Sequence, residues 1–274
     1  MSTVVPTQKT DERMLDDIPV EQGNRIAIIG PSGAGKTWLA ATWPNPGFLD
    51  TDRNIGTLKQ AAWRAYAGVE GQVRIPVSQP RDEIDRSTGL VKKAVGFWDL
   101  LSKVNEWSER PDIDTIVIDS ITTTSGLAMS VGVSVAGQDR RSQTLKEAGK
   151  YKVMLYTMAD FGAEMSVMEQ LLDQLPDVGK TIICTAHMRT ERSQAGALLG
   201  YSPLITGDKH RAKFGTWFNE VWYLDVQGVG ANAKRVLQCR QDNLHPFVKT
   251  TMGLPNTIEN PTYKRIMELR QKAA

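Results

Sequence analysis

RIAIIGPSGAGKTW, residues 25–38, is the stretch from which the rest of the chain can be laid out. After Arg25 come four apolar residues, Ile26 to Ile29, with the composition of a short strand covered on both faces. Residues 30–37 then match G-x-x-x-x-G-K-[ST], and Trp38 opens a helical pattern. Strand, glycine-rich turn and helix in this order make a phosphate-binding loop. Gly30, Gly33 and Gly35 are expected to let the backbone curl with its N–H groups pointing inward, where side chains would crowd a phosphate. The helix N-terminus adds partial positive charge. Lys36 can reach the β- and γ-phosphates of a nucleotide, and the Thr37 hydroxyl can hold Mg²⁺. The expected nucleotide contacts are Gly30, Pro31, Ser32, Gly33, Ala34, Gly35, Lys36, Thr37 and Trp38, with ATP and Mg²⁺ as the ligands.

At 274 residues and 41% hydrophobic, the chain can fill one sizeable core. No linker rich in Pro, Gly or Ser divides the interior, so one main domain is expected over residues 24–260. Residues 1–23 are polar and without sustained period, and read as a flexible arm; residues 261–274 read as a short, basic helical tail. Cys184 and Cys239 lie in apolar runs and read as buried reduced thiols. With no apolar leader and no run long enough to span a bilayer, a cytoplasmic location and no membrane role are expected. Charge is nearly balanced, 33 basic residues against 31 acidic, so only a local basic patch can argue for nucleic acid.

From residue 24 onward short β-rich runs alternate with longer helical ones, the pattern of a mostly parallel sheet covered by helices. Strands are expected at residues 26–29, 47–49, 115–118 and 181–185, with helices at 89–109 and 150–174, the second broken near Gly162. Met154, Met158, Met165 and Met168 on that second helix read as core fillers. Residues 217–226 and 234–240 read as antiparallel strands at one edge, joined by a turn at 228–232.

Asp119 ends the apolar run TIVID (residues 115–119), where a carboxylate at the carboxyl end of a strand can orient the water shell of Mg²⁺. Thr37 and Asp119 are therefore the expected metal pair; Asp114, the competitor, precedes its strand and sits at the wrong end of the sheet. Hydrolysis also needs a carboxylate to orient or deprotonate water. PGFLDTDRN (residues 46–54) supplies two, and Asp52 is preferred over Asp50, the other holding the loop. His187 follows the run TIICTA (residues 181–186) and can contact the γ-phosphate or the attacking water. His187, His210 and His245 show no metal-ligand spacing. Lys36, Asp52, Asp119 and His187 form the expected catalytic set.

These residues resemble the RecA-like ATPases, and more closely the small bacteriophage members associated with recombination and single-strand annealing. The family's strand ending in hydrophobic-Asp-x-Glu corresponds to FLDTD (residues 48–52), which puts Asp52 on the catalytic glutamate. Its second acidic strand is matched by Ile118-Asp119-Ser120, and its polar γ-phosphate sensor by His187. FNEVWYL (residues 218–224) and MGLPNTI (residues 252–258) look like the phage group. The resemblance implies an α/β RecA-like core with late antiparallel edge strands and an ATP-hydrolysing accessory protein of phage recombination or annealing. It also implies single-stranded DNA as ligand, a homo-oligomer, and an annealing or single-strand-binding protein as partner. Asp in place of Glu is a departure, one methylene shorter.

In the family a mobile DNA-binding loop follows the sensor. Residues 188–213 read here as a long basic loop, with Arg189, Arg192, Lys209, Arg211 and Lys213 as cations for a strand and Tyr201 as a stacking face. The same stretch also reads as a lid over ATP, and some of its cations, Lys209 or Arg211 in particular, as contacts to a neighbour's γ-phosphate. Residues 120–137, uncharged and with no basic residue following until Arg140 and Arg141, read as a second mobile loop. Other functions open on these residues are a nucleotide-gated assembly module with little hydrolysis, a DNA packaging or replication motor, and a small-molecule kinase.

Overall fold

In a computed structural model of the chain, residues 24–71, 73–88, 90–135, 145–148 and 151–273 are described. The arm expected at residues 1–23, and Arg140 and Arg141, lie outside the described residues.

β1 (Arg25–Gly30) runs through the middle of a mixed sheet because its side chains alternate strictly between two apolar layers. Ile26 and Ile28 face one layer, Ala27 and Ile29 the other, and all four are buried. β9 (Thr181–Arg192) and β11 (Glu220–Gln227) flank it, both parallel. Beyond β9 come β6 (Thr115–Asp119), β2 (Pro46–Asp50) and the two-residue β3 (Val77–Ser78), all parallel. Beyond β11 come β12 (Lys234–Gln238) and β13 (Thr257–Glu259), both antiparallel. The order is thus β13-β12-β11-β1-β9-β6-β2-β3. β9 outruns its neighbours, and its far half pairs with β10 (Leu198–Pro203) as an antiparallel hairpin. Two small ribbons, β4 (Glu83–Ile84) with β5 (Val91–Lys93) and β7 (Leu145–Ala148) with β8 (Tyr151–Met154), lie off the sheet.

One face of the sheet is covered by α3 (Gly96–Ser108), α4 (Ile121–Val135), α5 (Met158–Gln174) and α6 (Asp208–Trp217). The other is covered by α1 (Lys36–Ala40), α2 (Ala61–Ala67) and α7 (Tyr263–Ala273). The expected α/β architecture, mostly parallel with late antiparallel edge strands, is what the chain forms. Cys184 and Cys239 are free and buried, and burial pushes the Cys239 thiol up to about 12. Among the described residues no helix is long and apolar enough to cross a membrane.

Four local expectations need correction. Residues 120–137 are not a mobile loop: α4 fills most of that stretch, started by the Ser120 hydroxyl, which accepts from Thr123 N–H at 3.3 Å. Its threonines and glycines are weak helix formers, but Ile121, Ala128 and Val131 bury against the sheet, and packing overrides propensity. The helices expected at 89–109 and 150–174 begin later, because β5 and β8 take their first turns, and α5 runs through Gly162 without a break. Of the four methionines, Met168 is buried but Met158 is 85% exposed. Residues 188–213 are a β-hairpin followed by a helix rather than a long loop.

Candidate functional site

The carboxyl ends of β1 and β6, the middle of β9 and the bend after β2 converge on a cavity of about 320 Å³. Lys36, Thr37, Asp52, Asp119 and His187 all line it. The Lys36 ammonium donates to the Gly30 and Pro31 carbonyls, each at 2.9 Å, so the loop folds back over its own lysine. Burial holds the Lys36 pKa below its ordinary value, against the opposing charges of Asp119 and Asp52.

Asp119 is the hub. Its Oδ2 accepts from the Thr37 hydroxyl at 2.7 Å, and its Oδ1 accepts from the Thr185 hydroxyl. Burial raises the Asp119 pKa; the bonds from Thr185 and Thr37 lower it, and the charges of Asp52 and Asp50 raise it further. β9 lies between β1 and β6, so its Thr185 can reach Asp119 from the neighbouring strand. A lone hydroxyl in an apolar strand carries no sequence signal, and Thr185 was not expected. Asp114 is at the opposite strand end, accepting from Asn45 Nδ2 at 2.6 Å.

The two carboxylates after β2 part company. Asp50 is fully buried and structural: Oδ1 accepts from Asn54 N–H at 3.0 Å, and Oδ2 from Gln79 Nε2 at 2.8 Å. The chain then bends, with Thr51 and Asp52 N–H both donating to the Asp119 carbonyl, at 2.8 and 3.1 Å. This bend turns Asp52 into the cavity. Its Oδ1 accepts from Ser120 Oγ at 2.8 Å and from Thr123 Oγ1, and its Oδ2 lies 3.1 Å from His187 Nε2. The backbone bonds to Asp119 bring the Asp52 main chain against the carboxyl end of β6.

The glycines of the loop serve two ends. At Gly30 a Cβ would overlap the Leu224 carbonyl oxygen of β11, so this glycine is required by strand packing, not by a phosphate. Gly33 and Gly35 adopt φ of 83° and 96°, the left-handed backbone that turns the chain into α1. Gly35 is the N-cap of α1 with no side-chain cap, and Ser32 lines the cavity beside it. Ala34 is buried away from the cavity, so only its backbone can serve a ligand. The sequence also offered no sign of Arg235, the one arginine of β12, which closes the cavity over Trp38.

The six expected DNA contacts lie outside this lining. Arg189 lies 3.5 Å from Glu191, and Arg192 donates to the Gly196 carbonyl at 3.0 Å within the hairpin turn. Lys209 and Lys213 flank Glu169 at 3.9 and 3.1 Å, and Arg211 is half-buried on the same helix. Tyr201 is not a free stacking face: its ring stacks on Tyr223 at 5.4 Å and 18°, and lies 5.5 Å from His245. His187 joins hairpin to cavity, its N–H donating to Thr122 Oγ1 at 3.0 Å and its carbonyl accepting from Leu204 N–H at 2.8 Å.

A phosphate loop ending in a threonine bonded to a strand-end aspartate is the arrangement of a P-loop nucleotide-binding site, and the family comparison agrees. Residues 22–247 match the family model described as an AAA domain. The chain belongs to this AAA-domain family. It is also similar to the transport/processing ATP-binding protein ComA of two Streptococcus pneumoniae strains, 25% identical over 211 residues in each. That match takes in 72% of this chain, which spans 28% of the length of those relatives. Among solved structures, the flagellar accessory protein FlaH of Methanocaldococcus jannaschii is 12% identical with a TM-score of 0.37, covering 87% of this chain and 84% of that one. A KaiC-like protein of Pyrococcus horikoshii is 16% identical with a TM-score of 0.40, covering 80% and 79%.

Proposed function

We propose that this AAA-domain protein is a RecA-like, Mg²⁺-dependent ATPase that couples its nucleotide state to single-stranded DNA. The observation that carries the ATPase part is the Thr37–Asp119 hydrogen bond at 2.7 Å, inside a cavity that also holds Lys36, Asp52 and His187. Two oxygen groups in that relation suit Mg²⁺, which prefers oxygen ligands and keeps several waters. Mg²⁺ supplies charge neutralisation at the phosphates when bound. The chain's own residues do the rest. The uncapped start of α1 offers backbone N–H groups to phosphate oxygens, and Lys36 exchanges the Gly30 and Pro31 carbonyls for them. Asp52, held on one oxygen by Ser120 and Thr123, turns the other toward a water and takes its proton, with His187 Nε2 positioned 3.1 Å from that oxygen.

The DNA part rests on continuity. β9 runs unbroken from Thr181 past His187 to Arg192, so the sensor and the hairpin cations ride on one strand. The ion pairs of Arg189, Lys209 and Lys213 are exposed or half-exposed, and such pairs contribute about 0–1 kcal/mol, so DNA phosphates can displace them. The role this suits is a phage recombination or annealing accessory factor acting in the cytoplasm of a bacterial host. The hold on Asp52 favours a second reading, a nucleotide-gated assembly module with slow hydrolysis. Phosphate release from ATP decides between them. Turnover that needs Mg²⁺ and vanishes in Lys36→Ala is expected; ATP binding with release equal to that of Lys36→Ala favours the module.

A further inference from the structure

Arg235 is placed as no structural arginine needs to be. It stands on β12, its N–H donating to Asn260 Oδ1 at 3.1 Å and its carbonyl accepting from Asn260 N–H at 2.6 Å, so the main chain is pinned at that point. From there the side chain crosses to the phosphate loop. Its Cζ lies 4.3 Å from the Trp38 ring centroid and 5.3 Å from that of Tyr66. Trp38 is itself fixed, its Nε1 donating to Thr57 Oγ1 at 2.8 Å. Arg235 also lies directly over Gly35, where an added Cβ would stand 3.0 Å from its Cδ. Arg235 Nε is buried and has no hydrogen-bond partner, and the side chain has no carboxylate partner among the described residues. A guanidinium in a wall of the cavity, stacked on a fixed indole, with a donor left unmet, is a preorganised acceptor site for an anion.

Resting on the nucleotide reading above, we infer that Arg235 is a second cation for the nucleotide's phosphate chain, supplied by this chain's own strand β12 and held over Gly35 by the Trp38 ring. The ligand class is a nucleoside di- or triphosphate. Arginine suits the position because its planar fork can stack on Trp38 and still present donors edge-on to phosphate oxygens. Pairing with β11 and β13 fixes the main chain of β12 but does not require its Arg235 side chain to reach the phosphate loop.

Calorimetric titration of the full chain with Mg·ADP and with adenosine tests it. Arg235→Gln keeps most of the stem and removes the charge; ADP affinity is expected to fall about 10- to 100-fold, the loss typical of a charge-assisted bond, with adenosine affinity unchanged. Arg235→Lys is expected to recover part of the loss. Lys234→Gln, which removes the same charge from the next residue, is expected to bind ADP within about twofold of wild type. ADP binding as in wild type by Arg235→Gln, or an equal loss in Lys234→Gln, overturns the inference. So does an equal loss of adenosine affinity, which would move Arg235 from phosphate to base. If Arg235→Gln does not fold, Arg235→Lys carries the test, since loss of the fork alone is expected to weaken ADP and spare adenosine. ADP binding lost in Lys36→Ala but kept in Arg235→Gln removes only this inference; wild-type protein that binds no ADP removes the nucleotide reading and this inference together.

Discussion

Asp52 has both oxygens spoken for, one by hydroxyls and one by an imidazole, and this division states what its charge is for. Asn in its place keeps an oxygen for Ser120 and Thr123 and presents an amide toward His187, so the cavity retains its shape and loses only a base. Asp52→Asn is therefore expected to bind ATP as wild type does and to lose about 10²- to 10⁴-fold in turnover, the usual contribution of a positioned base. Parallel titration and phosphate-release assays check it. Turnover within a few-fold of wild type would take Asp52 out of the chemistry and leave its carboxylate a tether for His187. The same comparison tests Asp50 indirectly, since a carboxylate that caps Asn54 and accepts from Gln79 has no reach into the cavity and acts only through the fold.

At the scale of elements, α4 carries the clearest lesson. Its run of Thr, Ser, Gly and Val discourages a helix locally, and a reading from composition makes it a loop. What decides otherwise is long-range: its apolar side packs on the sheet, and Gly132 allows α5 to approach, a Cβ there standing 3.0 Å from Ala163 Cβ. Such contacts have no signature inside the segment. By contrast β1, β2, β6 and the first half of β9 were legible, because a strand buried on both faces must be apolar throughout. The second half of β9 was not, since its own residues 188–192, MRTER, are polar apart from Met188 and leave no apolar run. Gly126 offers a test of the helix. It is exposed within α4 with open space where a Cβ would go, so Gly126→Ala is expected to stabilise the protein by about 0.5–1 kcal/mol and to raise its melting temperature by a few degrees. An unchanged or lower melting temperature would mean that the segment is not helical in solution.

At the scale of the whole molecule, the sheet separates two tasks that the sequence ran together. The phosphate loop, Asp119 and Asp52 gather at the strand ends, whereas the cations after His187 leave the cavity along the β9–β10 hairpin and α6. Motif spacing located the first group well because phosphate chemistry dictates residue type and order. It could not locate the second, because a basic stretch looks alike whether it lids a nucleotide or faces outward. Arg189 and Arg192 now separate the two readings. Neither lines the cavity, so replacing both with Ala is expected to leave ATP turnover without DNA near wild type. If the hairpin holds single-stranded DNA, the double variant binds an oligonucleotide more weakly, and each lost phosphate contact reduces the slope of log affinity against log salt by about 0.7. A fluorescence anisotropy series over salt, with turnover followed across protein concentrations, reads both effects. Turnover that falls in the variant, more steeply on dilution, with the salt slope unaltered would mean that these arginines serve the nucleotide of a neighbouring copy. That outcome would make the hairpin an assembly element, because neither side chain reaches the cavity of its own chain.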